Sequence, residues 1–234
     1  MVTFIFTVLM LLPPGGEQVL HQTIQPLESG FHQTLLSKHS LLGDATAYLK
    51  LANITDIEDQ HAVHELLGYW SAKMNHTCSQ HPTSAVCETS FLDLVTYAIW
   101  IVEHSKIVTV KVGWREHHTT VDPLIVAAII WHESKILAHA VGPNGRDSGL
   151  MQVCDKYTPY TSQELLDPET NIKVGIGSLG FWKTRPKFKK DWLAHYADGV
   201  YLGVRGLGFQ MWVHKQVNQW RLAQETGTYG DPAG

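Results

Sequence analysis

Asp122 and Pro123 mark the start of a strongly apolar helix, and this short stretch constrains the fold more than any other. The carboxylate of an aspartate accepts hydrogen bonds from the free N–H groups of a first helical turn. Proline fits the first helical position because no N–H is needed there. The apolar residues that follow recur at helical spacing and give the helix an apolar face: Leu124, Ala127, Ala128 and Trp131.

A single acid, Glu133, stands near the end of this apolar helix, next to His132. Apolar surroundings disfavour an ionised carboxylate, as a general acid working near neutral pH requires. A negative charge at this end is also unfavourable toward the helix dipole, so its presence calls for some reason. A loop rich in Gly, Pro and Asn at 142–145 then leads to residues 148–152, Ser-Gly-Leu-Met-Gln.

Four sequence blocks occur in order: Glu133-Ser134, Gly149 to Gln152, Asp167 to Ile172 followed by Gly175, and Ala194 to Gly199. Together they resemble the catalytic domain of the soluble lytic transglycosylases, which are related in fold to goose-type lysozyme. Each block alone is a weak signal, whereas the ordered set is specific. The resemblance implies a mainly α, lysozyme-like domain over residues 91–225.

The resemblance also implies a reaction and its residues. Glu133 is expected to be the only acid/base of a peptidoglycan lytic transglycosylase. Such an enzyme cleaves the β-1,4 bond between N-acetylmuramic acid (MurNAc) and N-acetylglucosamine (GlcNAc) and leaves 1,6-anhydro-MurNAc ends. Neither a metal nor an organic cofactor is implied. The implied substrate-binding residues are Ser134, Gly149, Met151, Gln152 and Tyr196.

Two features keep other functions open. Ala197 stands where the family pattern has Asn, and Asp147 and Asp155 are the nearest candidates for a second carboxylate. If a second carboxylate activated water, the same fold would act as a hydrolytic lysozyme. A domain that had lost activity would instead be a wall-binding or structural component of a virion or a secretion apparatus.

The N-terminal segment, residues 1–16, contains an apolar run from Val2 to Leu12. This run is shorter than the roughly 20 residues of a membrane span. It has the length of a signal-peptide core, but no Lys or Arg precedes it. An export signal, a membrane-contacting arm and an arm for partner subunits of a virion or secretion complex all remain open. Residues 17–90 are expected to be a helical region of unknown role, and residues 226–234 a flexible tail.

The net charge and the cysteines bear on the possible binding partners and on the cellular compartment. The net charge of −4 gives no electrostatic case for nucleic acid. The implied partner, the glycan strands of peptidoglycan, places the site of action in the periplasm or cell envelope, or on a virion. Cys78 and Cys87 are predicted either to form a disulfide, if the protein is exported, or to be free thiols.

Local patterns predict further elements. Thr55 is expected to cap a helix that starts near residue 57. The other predictions are a buried helix over 91–102, an extended segment over 106–113, a helix over 165–180 entered at Asp167-Pro168, a helix over 191–196, a glycine-rich loop over 199–208 and a closing helix over 209–220.

Overall fold

The computed structural model describes residues 45, 48–50, 52–112 and 114–227, and these residues are mainly α-helical. The predicted fold class, a mainly α domain, is therefore confirmed. The predictions for the apolar run of residues 2–12, for residues 17–44 of the helical region and for most of the C-terminal tail lie outside the described residues. Among the residues described, no helix combines the length and the apolar character needed to cross a membrane.

The elements follow one another along the chain as helices interrupted by two small antiparallel hairpins. The helices are α1 (Ile57–Gln80), α2 (Phe91–Lys106), α3 (Pro123–Ser134), α4 (Pro168–Thr184), α5 (Trp192–Asp198) and α6 (Val204–Thr226). One hairpin pairs β1 (Val108–Val112) with β2 (Arg115–Thr119), and the other pairs β3 (Asp147–Ser148) with β4 (Val153–Cys154). Short 3-10 turns occupy Ala85–Glu88, Asp155–Tyr157 and Glu164–Leu166.

Helix α3 lies at the centre of the hydrophobic core. Its predicted start is confirmed, because the Asp122 carboxylate accepts from the N–H of Leu124 at 3.0 Å and Pro123 is the first helical residue. The residues from 124 to 131 are all buried, so the helix is enclosed on every side rather than on one face. Helices α1, α2 and α6 pack around it. The Trp70 indole of α1 donates to the Ala127 carbonyl of α3 at 3.1 Å.

Helices α5 and α6 pack closely against each other, and a glycine permits the approach. A Cβ atom at Gly206 would lie 2.6 Å from the Ala194 carbonyl oxygen of α5. The prediction of a loop through residue 208 is wrong from residue 204 onward, where α6 begins. Glycine disfavours an isolated helix by about 1 kcal/mol, but here helix packing requires it.

Helix α1 belongs to the same hydrophobic core as the helices that follow it. Its buried residues form one cluster with those of α2 and α3. The predicted Thr55 cap is wrong: the Asp56 carboxylate accepts from the N–H groups of Glu58 and Asp59, at 2.8 and 3.1 Å. A domain boundary at residue 90 remains a proposal, although the core extends across it.

A Cys78–Cys87 disulfide joins α1 to the 3-10 turn Ala85–Glu88. Of the two alternatives left open by the sequence, the structure therefore shows the bonded pair. The bond fixes the end of α1 against the segment that leads into α2.

The remaining local predictions agree with the structure except at element ends. The extended segment is strand β1, and the buried helix continues to residue 106. Asp167 caps α4 by accepting from the N–H of Thr170 at 2.9 Å. Helices α4, α5 and α6 end at residues 184, 198 and 226, each beyond its predicted end.

Candidate active site

Helix α3 carries Glu133 from the core to the surface. The side chain of Glu133 is 25% exposed, although residues 124–131 of the same helix are buried. Two successive residues with positive φ, Lys135 at 53° and Ile136 at 65°, turn the chain sharply just after it. This backbone region is unfavourable for a β-branched residue such as isoleucine, so the surrounding structure holds the turn in place.

His132 is the immediate neighbour of the Glu133 carboxylate. Its Nδ1 atom lies 3.3 Å from Glu133 Oε1. The imidazole ring contacts two aromatic rings of α6, Phe209 and Trp212, with centroid distances of 5.0 and 4.8 Å. Helix α6 therefore restricts the orientation of His132, and His132 in turn restricts the carboxylate.

The turn between β3 and β4, residues 149–152, has a conformation that requires glycine. Gly149 has a φ of 75°. A Cβ atom there would lie 2.4 Å from both Asn171 Nδ2 and the Leu165 carbonyl oxygen. No other residue type fits both the torsion and the space.

Asn171 of α4 holds this turn in shape. It is fully buried, and its Nδ2 donates to the carbonyls of Ser148 and Leu165, at 2.7 and 2.8 Å. Its Oδ1 accepts from the N–H of Met151 at 2.7 Å. One buried amide thus connects α4 to three backbone groups around the turn.

Met151 and Gln152 use their polar groups largely within the protein. The Met151 side chain is fully buried, with its sulfur where a Cβ atom on Gly175 would clash. Gln152 Nε2 donates to the carbonyls of Ala140 and Gly149, at 3.0 and 2.9 Å. Gln152 also has a positive φ of 48°. The side chains therefore shape the turn, and Met151 faces the site through its backbone carbonyl.

Tyr196 of α5 connects the turn to α6. Its hydroxyl donates to the Met151 carbonyl at 2.9 Å, and its ring stacks on Phe209 with a centroid distance of 6.3 Å. Burial raises the pKa of Tyr196 well above its ordinary value, and the negative charges of Glu133 and Asp147 raise it further. The hydroxyl therefore stays protonated within electrostatic reach of both carboxylates.

Ser134 is turned inward. It is buried, and its hydroxyl donates to the Ile130 carbonyl one turn back in α3, at 3.1 Å. Such a bond satisfies the buried hydroxyl within its own helix. The structure thus brings together Glu133, Tyr196 and the 149–152 turn, whereas the side chains of Ser134 and Met151 point into the protein.

The two further carboxylates considered from the sequence have partners within the loop. Asp147 accepts from Asn144 Nδ2 at 2.7 Å, and Asp155 accepts from the Ser162 hydroxyl at 2.6 Å. Cys154 lies between them in sequence. Burial raises the pKa of its thiol, and the two carboxylates add to this, so it is a poor nucleophile.

Sequence reasoning missed the role of Phe209 and Trp212, which it placed in an amphipathic closing helix. Their spacing of three residues predicts a shared helix face, but no local signal indicates that His132 is their partner. Arg205 was also missed. Its guanidinium donates to the Ala197 carbonyl and pairs with Asp198 at 3.0 Å, close to the position where the family pattern has Asn.

No group of three or more His, Cys, Asp or Glu side chains is arranged to hold a metal ion in the part of the chain that the structure describes.

Residues 113–199, a little over a third of the chain, match the family model of the transglycosylase SLT domain. Neither the curated proteins nor the solved structures compared with this chain give a match. The matched range contains Glu133, the 149–152 turn and Tyr196. The family match supports the assignment of a glycan-cleaving activity on peptidoglycan, in the cell envelope. Residues 113–199 of this chain are therefore similar to the transglycosylase SLT domain.

Proposed function

We propose that the protein is a lytic transglycosylase that cleaves the MurNAc-β-1,4-GlcNAc bond and forms 1,6-anhydro-MurNAc ends. The observation that carries the proposal is the position of Glu133. Its carboxyl group is partly exposed at the end of a buried helix, beside His132 and within electrostatic reach of the Tyr196 hydroxyl. Asp147 and Asp155 are hydrogen-bonded within their own loop, which favours a reaction that needs one carboxylate.

In the first step, protonated Glu133 donates its proton to the glycosidic oxygen. The bond between this oxygen and MurNAc C1 breaks, and the GlcNAc strand leaves with a free 4-hydroxyl group. The oxygen of the substrate's own N-acetyl group bonds to C1 and stabilises the positive centre, as in substrate-assisted glycosidases.

In the second step, the Glu133 carboxylate takes the proton from the MurNAc 6-hydroxyl group. The 6-oxygen bonds to C1 and displaces the N-acetyl oxygen. The ring closes as the 1,6-anhydride, Glu133 is protonated again, and no water is consumed. The first step leaves Glu133 deprotonated, which is the form that the second step needs. One residue can therefore serve first as the acid and then as the base.

The neighbours of Glu133 orient it. His132, held against Phe209 and Trp212, limits the rotation of the carboxyl group. Tyr196 and Asn171 fix the 149–152 turn, which we propose as the wall that positions the sugar. Precise positioning of an acid against its substrate is a major source of rate enhancement.

Hydrolysis is the second candidate, and one observation favours it. The charge of Asp147, like that of Glu133, raises the pKa of Tyr196, so both carboxylates lie within electrostatic reach of one hydroxyl group. A water molecule activated by Asp147 would give a reducing end instead of an anhydride.

The deciding experiment is mass spectrometry of the soluble products from purified sacculi. Wild type would be compared with Glu133→Gln, with Asp147→Asn, and with Glu225→Gln as a control at an exposed acid of α6. Glutamine keeps the shape of glutamate but has no proton to transfer. We expect anhydro-muropeptides from wild type, Asp147→Asn and Glu225→Gln, and none from Glu133→Gln.

Other outcomes have distinct meanings. Reducing-end products that disappear with Asp147→Asn would replace transglycosylation by hydrolysis. Binding to sacculi without any soluble product, from protein whose folding is verified by circular dichroism, would leave a wall-binding component. Association with a virion or a secretion complex remains a prediction from the sequence.

A further inference from the structure

A cluster of exposed apolar side chains covers the loop between α5 and α6 and the first turns of α6. Half of the large apolar side chains that are exposed in the described residues lie between positions 200 and 211. Tyr201 is 88% exposed, Val204 90% and Met211 73%. We call this cluster the apolar patch: Val200, Tyr201, Leu202, Val204, Leu207 and Met211.

The patch is separate from the part of α6 that fills the core. Val204, Leu207 and Met211 are spaced three and four residues apart, so they share one face of the helix. The core is filled from another face, which includes Phe209, Val213 and Val217. Because the fold does not bury the patch, its composition indicates an interaction surface.

Basic side chains outnumber acidic ones around the patch, where Asp198 is paired with Arg205. Residues 199–224 contain no Asp or Glu, but they contain two Arg and one Lys. The turn before α5, residues 183–190, has five basic residues and no acidic one. The residues that directly follow this turn contact α6: Gln210 donates to the Asp191 carboxylate at 3.4 Å and accepts from the N–H of Ala194 at 3.3 Å, at the start of α5. Lys187, Lys189 and Lys190 of the turn are exposed.

We propose that the apolar patch and the basic turn together bind the surface of an anionic lipid bilayer. Interfacial protein segments insert apolar side chains at the boundary between head groups and acyl chains, while lysines contact lipid phosphates. Both kinds of group occur here on adjoining elements. The proposal concerns described residues and does not depend on the N-terminal apolar run or on the cleavage reaction.

The alternatives fit the patch less well. A glycan strand presents hydroxyl and amide groups, for which valine, leucine and methionine side chains offer no hydrogen bonds. A second copy of this chain, paired through a symmetric contact, would bring two basic turns near each other and incur charge repulsion. A bilayer with anionic head groups offers acyl chains to the apolar patch and phosphate groups to the basic turn.

The test is co-sedimentation of the full chain with vesicles of phosphatidylcholine, alone or mixed equally with phosphatidylglycerol. We expect binding to the mixed vesicles and little to phosphatidylcholine alone. The combined variant Tyr201→Ser, Val204→Ser and Met211→Ser is expected to bind at least about tenfold more weakly. Exchanging Lys187, Lys189 and Lys190 for Gln is expected to lower the affinity for the mixed vesicles by about fivefold per lysine. The preference for vesicles that contain phosphatidylglycerol should then disappear.

A matched control exchanges three equally exposed apolar residues elsewhere: Ile107→Ser, Trp114→Ser and Tyr157→Ser. This variant is expected to bind vesicles like wild type.

A further variant, Phe4→Ser with Phe6→Ser and Leu9→Ser, tests the N-terminal run. All patch substitutions are at exposed positions, so the variants are expected to fold. A circular dichroism spectrum equal to that of wild type verifies this.

Several results would overturn the proposal. One is vesicle binding by the patch variant equal to that of wild type. Another is loss of binding in the N-terminal variant alone. A third is that wild type binds no vesicles. In that case, patch substitutions that lower the mass of the protein in solution would indicate self-association through the patch, and substitutions that weaken binding to sacculi would indicate a glycan partner. These readouts do not measure glycan cleavage, so they stand apart from the test of Glu133.

Discussion

Glycine at position 149 is required twice, by its backbone torsion and by the space around it. Exchange for alanine forces a Cβ atom against buried Asn171 and against a backbone carbonyl, at a φ that side chains rarely adopt. We expect Gly149→Ala to lower the free energy of unfolding by more than about 2 kcal/mol. Denaturant unfolding followed by circular dichroism measures this change.

Gly177 of α4 supplies the matched control for this substitution. A Cβ atom there meets nothing within 4 Å, and the residue lies inside a helix. Gly177→Ala is expected to raise the free energy of unfolding by about 0.5–1 kcal/mol. Equal effects of the two substitutions would contradict the role given to the 149–152 turn.

The buried hydroxyl of Tyr196 makes stability depend on alkaline pH. Its pKa lies above the ordinary value of 10.0 in the folded protein, so the folded state holds the phenolic proton more tightly than the unfolded chain. The resulting stabilisation is present below pH 10 and is lost as the pH rises further, because the unfolded chain releases its proton first. Tyr69 and Tyr97 are shifted in the same direction by burial.

Tyr196→Phe should therefore flatten the alkaline part of the stability curve. Above pH 10 we expect its free energy of unfolding to decline less steeply than that of wild type, by up to about 1.4 kcal/mol per pH unit. Denaturant unfolding from neutral pH to about pH 12 tests this. Parallel curves for the two proteins would mean that Tyr196 titrates alike in the folded and unfolded states.

At the scale of elements, the junction of α3 and α6 determines how Glu133 is held. His132→Phe keeps a ring between Phe209 and Trp212 but removes the hydrogen bond to Glu133. If this bond orients the acid, kcat should fall about tenfold while KM stays unchanged. His118→Phe, at an exposed site on β2, is the control. A raised KM with unchanged kcat would show instead that His132 contacts the sugar.

The parts of the fold that sequence could predict are those governed by neighbouring residues. Asp122-Pro123 and Asp167-Pro168 marked two helix starts correctly, because a cap and the first turn lie within four residues of each other. The start of α6 at Val204 escaped prediction, since Gly206 serves a contact with α5 that no local pattern shows. The inward direction of Ser134 and the contact of Phe209 with His132 likewise depend on distant elements.

At the scale of the whole molecule, the core joins residues on both sides of position 90. Val63, Leu66, Trp70 and Met74 of α1 are each at most 1% exposed within it. Fully burying each such side chain contributes about 1.5–3 kcal/mol, and a typical domain is stable by only about 5–15 kcal/mol. A fragment of residues 91–225 is therefore expected not to unfold cooperatively, whereas residues 45–227 should. Thermal unfolding of both fragments checks this, and a cooperative transition in the shorter one would support a boundary near residue 90.

The disulfide joins cysteines nine residues apart, and the third cysteine, Cys154, lies 67 residues beyond Cys87. In a reduced and denatured chain, loop closure favours the shorter pairing over the Cys87–Cys154 pairing by about twentyfold. Oxidative refolding should therefore select the native covalent isomer before any helix has formed. The remaining thiol, on partly exposed Cys154, is then a single attachment point close to the 149–152 turn, and its raised pKa means that a thiol probe should react with it only at alkaline pH.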